Sequence, residues 1–233
     1  MGDFYQNGII TTLHNLGHRP VSEMHQDLIR FSRRRPMGLI LPALFSELEG
    51  KALPLIINEL KGVPYLNQIV IGLDKANEDQ YVHALQFFSE LPQHLRVLWN
   101  DGPRLKAIDK QLEKLDLAPK EYGKGRNVWY CMGYVLATGR AESVALHDCD
   151  ITTYNKELLA RLIYPVANPQ FNYEFCKGFY ARVANGKING RVSRLLVSPL
   201  IQALKANLGQ MDYLDYMDSF RYPLAGEFSF RRD

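Results

Sequence analysis

Two carboxylates near the middle of the chain have the type and spacing to hold a hard divalent cation. Asp148 and Asp150 flank Cys149, directly after the apolar run Ser-Val-Ala-Leu-His at 143–147. Mg²⁺ and Mn²⁺ prefer oxygen ligands, and Mg²⁺ usually takes one or two protein carboxylates together with water and substrate phosphates. The pair is typical of an enzyme that clamps a diphosphate, although a solvated turn that closes a strand has the same appearance.

The second candidate is the basic turn Gly123-Lys124-Gly125, which precedes a helical pattern. Its backbone N–H groups, the helix N-terminus and the Lys124 ammonium group would all face one anion. The turn therefore predicts a phosphate site, although the same tripeptide is common in loops that bind nothing.

A third candidate lies at the start of a long helical stretch, where Gly190-Arg191-Val192-Ser193 places a guanidinium and a hydroxyl in the first turn. Charge-assisted hydrogen bonds and the helix dipole would both favour a phosphate or a carboxylate there. The alternative is a simple helix start with Arg191 in solvent.

Two more carboxylates are associated with turns. Asp74 follows an apolar run and would accept hydrogen bonds from a base or a ribose hydroxyl, or act only as a cap or turn residue. Glu227 ends the stretch Pro223-Leu224-Ala225-Gly226-Glu227, where a rigid and a permissive residue would bring backbone close to a ligand. The Glu227 carboxylate would then bind sugar hydroxyls, although a purely structural turn would look the same.

The elements that must position these residues alternate between strand and helix patterns. Predicted strands lie at 38–41, 68–73, 95–98 and 143–147, and predicted helices lie at 48–60, 78–91, 104–115, 125–138 and 156–162. Short runs rich in Ile and Val, separated by helices of about 10–15 residues, indicate parallel strands joined by right-handed crossovers. The sequence therefore predicts an α/β fold with a mostly parallel sheet.

Ligands of open α/β sheets bind outside the carboxyl ends of the strands. Four predicted strand ends carry polar or turn-forming residues: Pro42, Asp74, Asn100 and Asp148. We expect the loops that follow these strands to converge on one cleft.

The outer parts of the chain follow a looser pattern. We expect an N-terminal helical extension at 1–36 and one large domain at 37–233, in two halves at 37–150 and 151–233. Within the second half the sequence predicts a strand at 171–175, a loop at 184–190 and a helical stretch at 191–208 that is kinked at Pro199.

The bulk composition excludes several classes of protein. The 233 residues are 46% hydrophobic and 23% charged, as in an ordinary globular domain. A net charge of +3 is too small for a nucleic-acid protein, and the sequence shows neither a signal peptide nor an apolar run of about 18 residues. The three cysteines lack metal or disulfide spacing, so we expect a protein of the reducing cytoplasm.

Taken together and in this order, the motifs resemble those of the retaining nucleotide-sugar glycosyltransferases that make glucosyl-3-phosphoglycerate, and of the related mannosylglycerate synthases. The similarity runs from about residue 37 to residue 233 and includes Leu41-Pro42-Ala43-Leu44 and Asp148-Cys149-Asp150-Ile151-Thr152. It implies a GT-A type α/β domain, with a nucleotide-sugar half at 37–150 and an acceptor half at 151–233, and Mg²⁺ or Mn²⁺ as the cofactor.

The resemblance also implies a role for each candidate residue. Asp150 matches the metal ligand, Asp148 matches its partner near the ribose, and Lys124 matches the lysine that binds the diphosphate. The nucleotide-pocket positions are matched by Pro42, Ala43, Leu44 and Asp74, and the acceptor-phosphate positions by Gly190, Arg191 and Ser193. Glu227 matches the catalytic-site carboxylate that engages the donor sugar, and Leu224 lies beside the reacting centre.

Two features depart from the family pattern. Phe45 and Ser46 precede Glu47, whereas the family carries acidic residues directly after the first-strand Pro-Ala-Leu. The family also continues beyond the Pro-Leu-Ala-Gly-Glu stretch with further helices and a histidine that completes the metal site. We therefore expect a fragment, or a shortened protein whose metal is completed by water or by another subunit.

The resemblance implies transfer of glucose from UDP-glucose, or a related nucleotide sugar, to 3-phosphoglycerate. The expected partners are a nucleotide sugar, a small anionic acceptor and a second copy in a homodimer, without nucleic acid or membrane. The alternatives are transfer of glucose or mannose to glycerate, and a non-catalytic nucleotide-sugar binding module. A sugar nucleotidyltransferase is a weaker alternative, because residues 42–46 lack the glycine- and arginine-rich loop that it needs.

Overall fold

The computed structural model describes residues 10–13, 19–180, 183–184, 187–188 and 192–233. The strands are Met37–Leu44 (β1), Leu66–Asp74 (β2), His94–Trp99 (β3), Ser143–Leu146 (β4), Phe175–Lys177 (β5), Val183–Ala184 (β6), Lys187–Ile188 (β7) and Phe228–Arg231 (β8). The helices are Val21–Ser32 (α1), Phe45–Leu48 (α2), Ala52–Lys61 (α3), Glu78–Phe88 (α4), Pro103–Glu113 (α5), Lys124–Thr138 (α6), Lys156–Ala167 (α7), Ser198–Leu208 (α8) and Asp212–Ser219 (α9).

A six-stranded sheet in the order β3-β2-β1-β4-β8-β5 forms the centre of the fold, and β6 pairs with β7 in a separate small sheet. The pairings of β1 with β2, β1 with β4 and β2 with β3 are all parallel. The predicted α/β class with a mostly parallel sheet is therefore confirmed. β8 was not predicted, and it pairs antiparallel with β4.

Side chains alternate between the two faces of the central strands, as the period of two in a strand requires. Leu39 and Leu41 face the larger apolar cluster, which includes residues of α3, α4 and α7. Ile40 faces the smaller cluster, which includes Val70 of β2 and Cys131 and Val135 of α6. β1 is thus buried on both faces, which explains its nearly continuous apolar sequence.

Residues 20–36 of the N-terminal region belong to the same unit as the central sheet. α1 packs against α7, and the Tyr164 hydroxyl donates a hydrogen bond to Asp27 Oδ2 at 2.9 Å. Arg35 Nη1 donates hydrogen bonds to the carbonyl oxygens of Val166 and Asn168, at 3.2 and 3.0 Å. Arg35, the last of the three consecutive arginines, therefore caps the C-terminal end of α7.

Several predicted elements differ in extent. The predicted helix at 48–60 is divided into α2 and α3, and the helix predicted at 156–162 continues to Ala167 with Pro165 inside it. The strand predicted at 171–175 begins only at Phe175. At 192–208 a π-helical turn, Ser193–Val197, runs directly into α8, and Pro199 is the second residue of α8.

The chain divides into two compact units. The larger comprises Pro20–Cys176 with Glu227–Asp233, and the smaller comprises Lys177–Gly226 with the described residues before Pro20. Within the smaller unit, Lys205 Nζ lies 2.7 Å from Asp215 Oδ1 and 3.3 Å from Asp218 Oδ2, which ties α8 to α9. Among the described helices, none has the length and apolar character needed to cross a membrane.

Candidate functional site

An ion pair joins the basic turn to the end of the fourth strand. β4 ends at Leu146, and Asp148 follows two residues later. The Lys124 ammonium group pairs with Asp148 Oδ1. Both side chains stay partly exposed, 49% for Lys124 and 26% for Asp148, so a ligand can reach them. Two residues that were predicted separately, one for a phosphate and one beside a cation, therefore lie together.

Glu47 brings a third carboxylate to this edge of the sheet. It lies in α2, and its Oε2 accepts a hydrogen bond from the Leu44 N–H at 2.8 Å. Burial raises the pKa of Glu47, the Leu44 hydrogen bond lowers it, and the charges of Asp150 and Asp148 raise it again. The three carboxylates thus interact electrostatically, and Lys124 is the cation that offsets them.

The acidic edge has the donor chemistry for a hard divalent cation. Asp150 is exposed and Asp148 is partly exposed, and both supply the carboxylate oxygens that Mg²⁺ and Mn²⁺ prefer. In the part of the chain that the structure describes, no three His, Cys, Asp or Glu side chains are grouped as metal ligands. The residues present fit a cation that is held by one or two carboxylates and completed by water and phosphate oxygens.

The start of α6 is fixed by contacts with β2. The Asn127 side-chain amide donates a hydrogen bond to the Gly72 carbonyl oxygen at 2.8 Å, and Asn127 is only 2% exposed. A Cβ at Gly72 would lie 1.6 Å from Asn127 Oδ1. Gly123, directly before the helix, has φ +141°, which is strained for any residue other than glycine. These contacts set the position from which Lys124 reaches Asp148.

Asp74 ends β2 with its carboxyl group largely buried. Its exposure is 6%, and it lies beside Leu44 in the register of β1 and β2. Burial raises the pKa of Asp74, and the neighbouring Asn100 amide lowers it. The two side chains do not meet in the geometry of an ordinary hydrogen bond. Asp101 raises the pKa and Arg126 lowers it. Ionised Asp74 is therefore held in an environment that opposes its charge.

We expect Asp74→Asn to stabilise the protein when no ligand is bound. Because folding raises the pKa of Asp74, ionisation of this group lowers the free energy of unfolding as the pH rises through its titration range. The amide has no charge to desolvate and keeps one acceptor oxygen. The melting temperature of Asp74→Asn should exceed that of the wild type at neutral pH, and the difference should shrink towards about pH 4, where the unfolded carboxyl group is protonated.

The matched control for this measurement is Asp79→Asn, which alters an exposed aspartate in the first turn of α4. The melting temperature of Asp79→Asn should not show the gain over the wild type that we expect for Asp74→Asn at neutral pH. A melting temperature for Asp74→Asn at or below that of the wild type at neutral pH would contradict the expectation.

β1 contains three of the four residues that the resemblance places in the nucleotide pocket. Pro42 and Ala43 are buried within the strand, and Pro42 pairs with Gly72. Only Leu44 reaches the end of β1. The expectation that Pro42 stands at the carboxyl end of the first strand is therefore wrong by two residues, because β1 continues to Leu44. Asp74, Asn100 and Asp148 do lie at or directly beyond the ends of their strands.

Glu227 reaches the same edge of the sheet from far along the chain. In the antiparallel pairing of β8 with β4, Phe228 lies opposite Leu146. Continued by one residue, this register places Glu227 opposite His147, the residue before Asp148. Glu227 is 4% exposed. The carboxylate that the resemblance assigns to the donor sugar thus stands at the edge that carries the Lys124–Asp148 pair.

The other predicted residues belong to the smaller unit. Gly190 and Arg191 lie outside the described residues. Ser193 begins the π-helical turn before α8, and its hydroxyl oxygen has no hydrogen-bond partner among the described residues. Leu224 is 45% exposed and precedes Ala225, whose carbonyl oxygen accepts a hydrogen bond from Lys177 Nζ at 2.6 Å.

Sequence reasoning treated Glu47 only as a departure from a family pattern. The structure places it in electrostatic contact with Asp148 and Asp150. One signal could have found it: a carboxylate three residues after the end of a strand can fold back to cap the backbone N–H at that end. Leu44 obscured the signal, because leucine is not a usual residue at the start of a helix.

No family model matches the chain, but curated proteins match it over almost its whole length. The chain is 49% identical over 232 residues to the glucosyl-3-phosphoglycerate synthase of Persephonella marina. This match covers 100% of this chain and 57% of that protein. It is 39% identical over 235 residues to the glucosyl-3-phosphoglycerate synthase of Methanococcoides burtonii, with coverage of 99% and 57%. The resemblance predicted from the motifs is confirmed. The chain spans little more than half the length of these relatives.

Solved structures support the fold. Crystal structures of glucosyl-3-phosphoglycerate synthase from Mycobacterium tuberculosis match with a TM-score of 0.59 and cover 95% of this chain and 63% of the matched chain. One is a complex with Mn²⁺, UDP and glucosyl-3-phosphoglycerate at 19% identity, and another is a complex with Mn²⁺ and UDP-glucose at 20% identity. The predicted GT-A type α/β fold is confirmed.

Proposed function

We propose that this chain carries a metal-dependent retaining glycosyltransferase activity, which transfers glucose from UDP-glucose to 3-phosphoglycerate. The observation that carries the proposal is the 49% identity to a glucosyl-3-phosphoglycerate synthase over the full chain. The pairing of Lys124 with Asp148, beside Asp150 and Glu47, supports it, because a diphosphate needs an ammonium group and a cation site in one place.

The donor would bind across the carboxyl ends of β1, β2 and β4. Asp150 would hold Mg²⁺ or Mn²⁺, which when bound offsets the charge that develops on the departing diphosphate. Lys124 would exchange part of its interaction with Asp148 for the diphosphate, so donor binding should weaken that ion pair. Asp74, with Leu44 beside it, would accept hydrogen bonds from the base or the ribose, and Glu227 would bind hydroxyls of the sugar.

The acceptor phosphate would be held by Arg191, Ser193 and the backbone of Gly190, with Leu224 beside the reacting centre. The resemblance supports attack on the same face of the sugar that the diphosphate leaves. The acceptor hydroxyl oxygen forms a bond to the anomeric carbon, the bond from that carbon to the diphosphate oxygen breaks, and the diphosphate takes up the hydroxyl proton.

The proposal is tested by incubating the purified protein with UDP-glucose, GDP-glucose or GDP-mannose, and with 3-phosphoglycerate or glycerate. Each pair is assayed with Mg²⁺, with Mn²⁺ and with a chelator. We expect a product with the mass of glucosyl-3-phosphoglycerate from UDP-glucose and 3-phosphoglycerate, only when metal is present, and with the anomeric configuration of the donor by NMR. No product from any pair would reject the transferase activity.

A non-catalytic nucleotide-sugar binding module is the second candidate. It is favoured by one observation: the described residues group no three side chains as metal ligands. Calorimetry with UDP-glucose and Mn²⁺ distinguishes the two functions, because a binding module gives heat of binding without product.

Assembly and location are part of the proposal. We propose a homodimer in the cytoplasm, and the free thiols of Cys131 and Cys149, both buried, are consistent with a reducing compartment. Light scattering at several protein concentrations measures the oligomeric state, and a monomer at all of them would exclude the dimer.

We expect Arg191→Ala to act on the acceptor. Loss of one charge-assisted hydrogen bond of about 1.5–3 kcal/mol should raise the KM for 3-phosphoglycerate by roughly tenfold or more, with little change in the KM for UDP-glucose. Arg194→Ala, which alters an exposed arginine three residues later, serves as the control and should leave both values unchanged. An unaltered acceptor KM in Arg191→Ala would remove Arg191 from the phosphate site.

A further inference from the structure

One arginine in the first turn of α6 is almost completely buried. The Arg126 side chain is 5% exposed, and its Nη2 lies 2.5 Å from Asp109 Oδ2 of α5, whose side chain is 16% exposed. The guanidinium carbon lies 4.5 Å from the centroid of the Tyr122 ring and 5.3 Å from that of Tyr130. Arg126 is thus held by an ion pair and by two aromatic rings.

A buried cation at this position is unfavourable for the helix by itself. The N-terminal end of a helix carries partial positive charge, so a guanidinium in the first turn is repelled by the helix dipole. Burial of an ion pair also costs desolvation, and apolar residues of similar volume are often as stable. Nη1 of Arg126 and Oδ1 of Asp109 find no hydrogen-bond partner among the described residues, which adds to the cost. Stability of α6 alone does not account for Arg126.

Arg126 lies in the turn of α6 that also carries Lys124 and Asn127. Lys124, two residues before it, pairs with Asp148, and Asn127, one residue after it, bonds to the Gly72 carbonyl oxygen. Arg126 itself bonds to α5 and is close enough to Asp74 to lower its pKa. One helical turn therefore makes three separate contacts, with β4, with α5 and with β2.

The segment before Gly123 lines a pocket together with this arginine. The pocket is half open to solvent, has a volume of about 210 Å³ and is lined by Asp109, Tyr122 and Arg126 among others. Because space already exists there, loss of the guanidinium would enlarge the pocket. Tyr122, which is 83% exposed, would then lose the charged group that its ring covers.

We infer that Arg126 is a positioning residue for the donor diphosphate: through Asp109 and Tyr122 it fixes the Gly123-Lys124 turn so that the Lys124 ammonium group meets the ligand. This inference rests on the proposed function, and it gives Arg126 no contact with the substrate. This role explains why a charged residue is buried at this helix end, where apolar residues would stabilise α6 equally well.

The test compares Arg126→Met, which keeps much of the side-chain volume, with Arg126→Lys, which keeps the charge. Arg96→Met is the matched control, because the exposed Arg96 also lies over a ring of α6, with its guanidinium carbon 5.6 Å from the Tyr134 centroid. Four quantities are measured: the Kd for UDP with Mn²⁺, the KM for each substrate, the melting temperature, and amide hydrogen exchange at 122–128 without ligand.

Arg126→Met should raise the Kd for UDP and the donor KM by about tenfold, with the acceptor KM within about twofold of the wild type. Exchange at 122–128 should be about tenfold faster. Arg126→Lys should recover part of both effects, and Arg96→Met should match the wild type.

Two results would overturn the inference: wild-type exchange at 122–128 in Arg126→Met, or a lowered melting temperature with an unchanged donor KM. If the wild type neither binds UDP nor forms product, the proposed function fails, and the exchange measurement still decides whether Arg126 holds the turn.

Discussion

Asp150→Ala should abolish sugar transfer and leave the fold intact. Asp150 is exposed and follows the end of β4 in a turn, so its truncation removes no packing. It removes the carboxylate proposed to hold the cation, and a metal ion contributes several kcal/mol of charge stabilisation in such reactions. The expected loss in kcat/KM is about 10³-fold or more. The measurements are product formation with Mn²⁺ and the melting temperature.

Asp79→Ala provides the control for Asp150→Ala, because Asp79 is another exposed aspartate of the same unit and lies in the first turn of α4. It should keep wild-type turnover with a small loss of stability. Mn²⁺ should also stabilise the UDP complex of the wild type and of Asp79→Ala, and not that of Asp150→Ala. Turnover of Asp150→Ala near the wild-type value would refute the assignment of Asp150.

Gly72→Ala should have the largest effect on stability. A Cβ at Gly72 would lie 1.6 Å from Asn127 Oδ1 and 2.6 Å from Cys131 Sγ, and both partners are buried. α6 must shift, or Asn127 must give up its hydrogen bond to the Gly72 carbonyl oxygen. Overpacking and a lost buried hydrogen bond together cost about 3 kcal/mol or more. At about 2–4 °C per kcal/mol, the melting temperature should fall by roughly 10 °C.

α6, the helix that Gly72→Ala would displace, offers a control with the opposite effect on stability. Gly133 lies in the middle of α6, and a Cβ there meets no atom within 4 Å. Gly133→Ala should therefore stabilise the protein by about 1 kcal/mol through the higher helix propensity of alanine. If Gly72→Ala melts within 2 °C (roughly 1 kcal/mol) of the wild type, α6 does not rest on β2 as closely as the structure indicates.

The apolar runs of the sequence predicted the four parallel strands, because each pattern is local. β1, β2 and β4 are almost wholly buried, whereas in β3 only Val97 is buried. β8 could not be predicted in this way. Its four residues, Phe-Ser-Phe-Arg at 228–231, form a strand only because the free edge of β4 lies beside them. Short strands depend on such long-range pairing, which a local pattern does not record.

The candidate site was predictable in its parts. Lys124 and Asp148 each carried a local signal. The rule that ligands bind at the carboxyl ends of strands predicted that Asp148 converges with Asp74 and Asn100. Lys124 follows no strand, so only the fold shows that it pairs with Asp148. The burial of Arg126 carried no such signal, because arginine is usually exposed and only the fold shows its ion pair with Asp109. Pro42 was misplaced because proline normally ends a strand, whereas here it lies within β1.

The insertion of β8 between β4 and β5 has a consequence for synthesis on the ribosome. β4 and β5 are complete by residue 177, yet the strand that joins them is made about fifty residues later. Until then a nascent chain carries β4 as an open edge, which is a template for wrong pairing. Translation pauses before residue 228 should therefore favour aggregation, and chaperones should bind the chain at that stage.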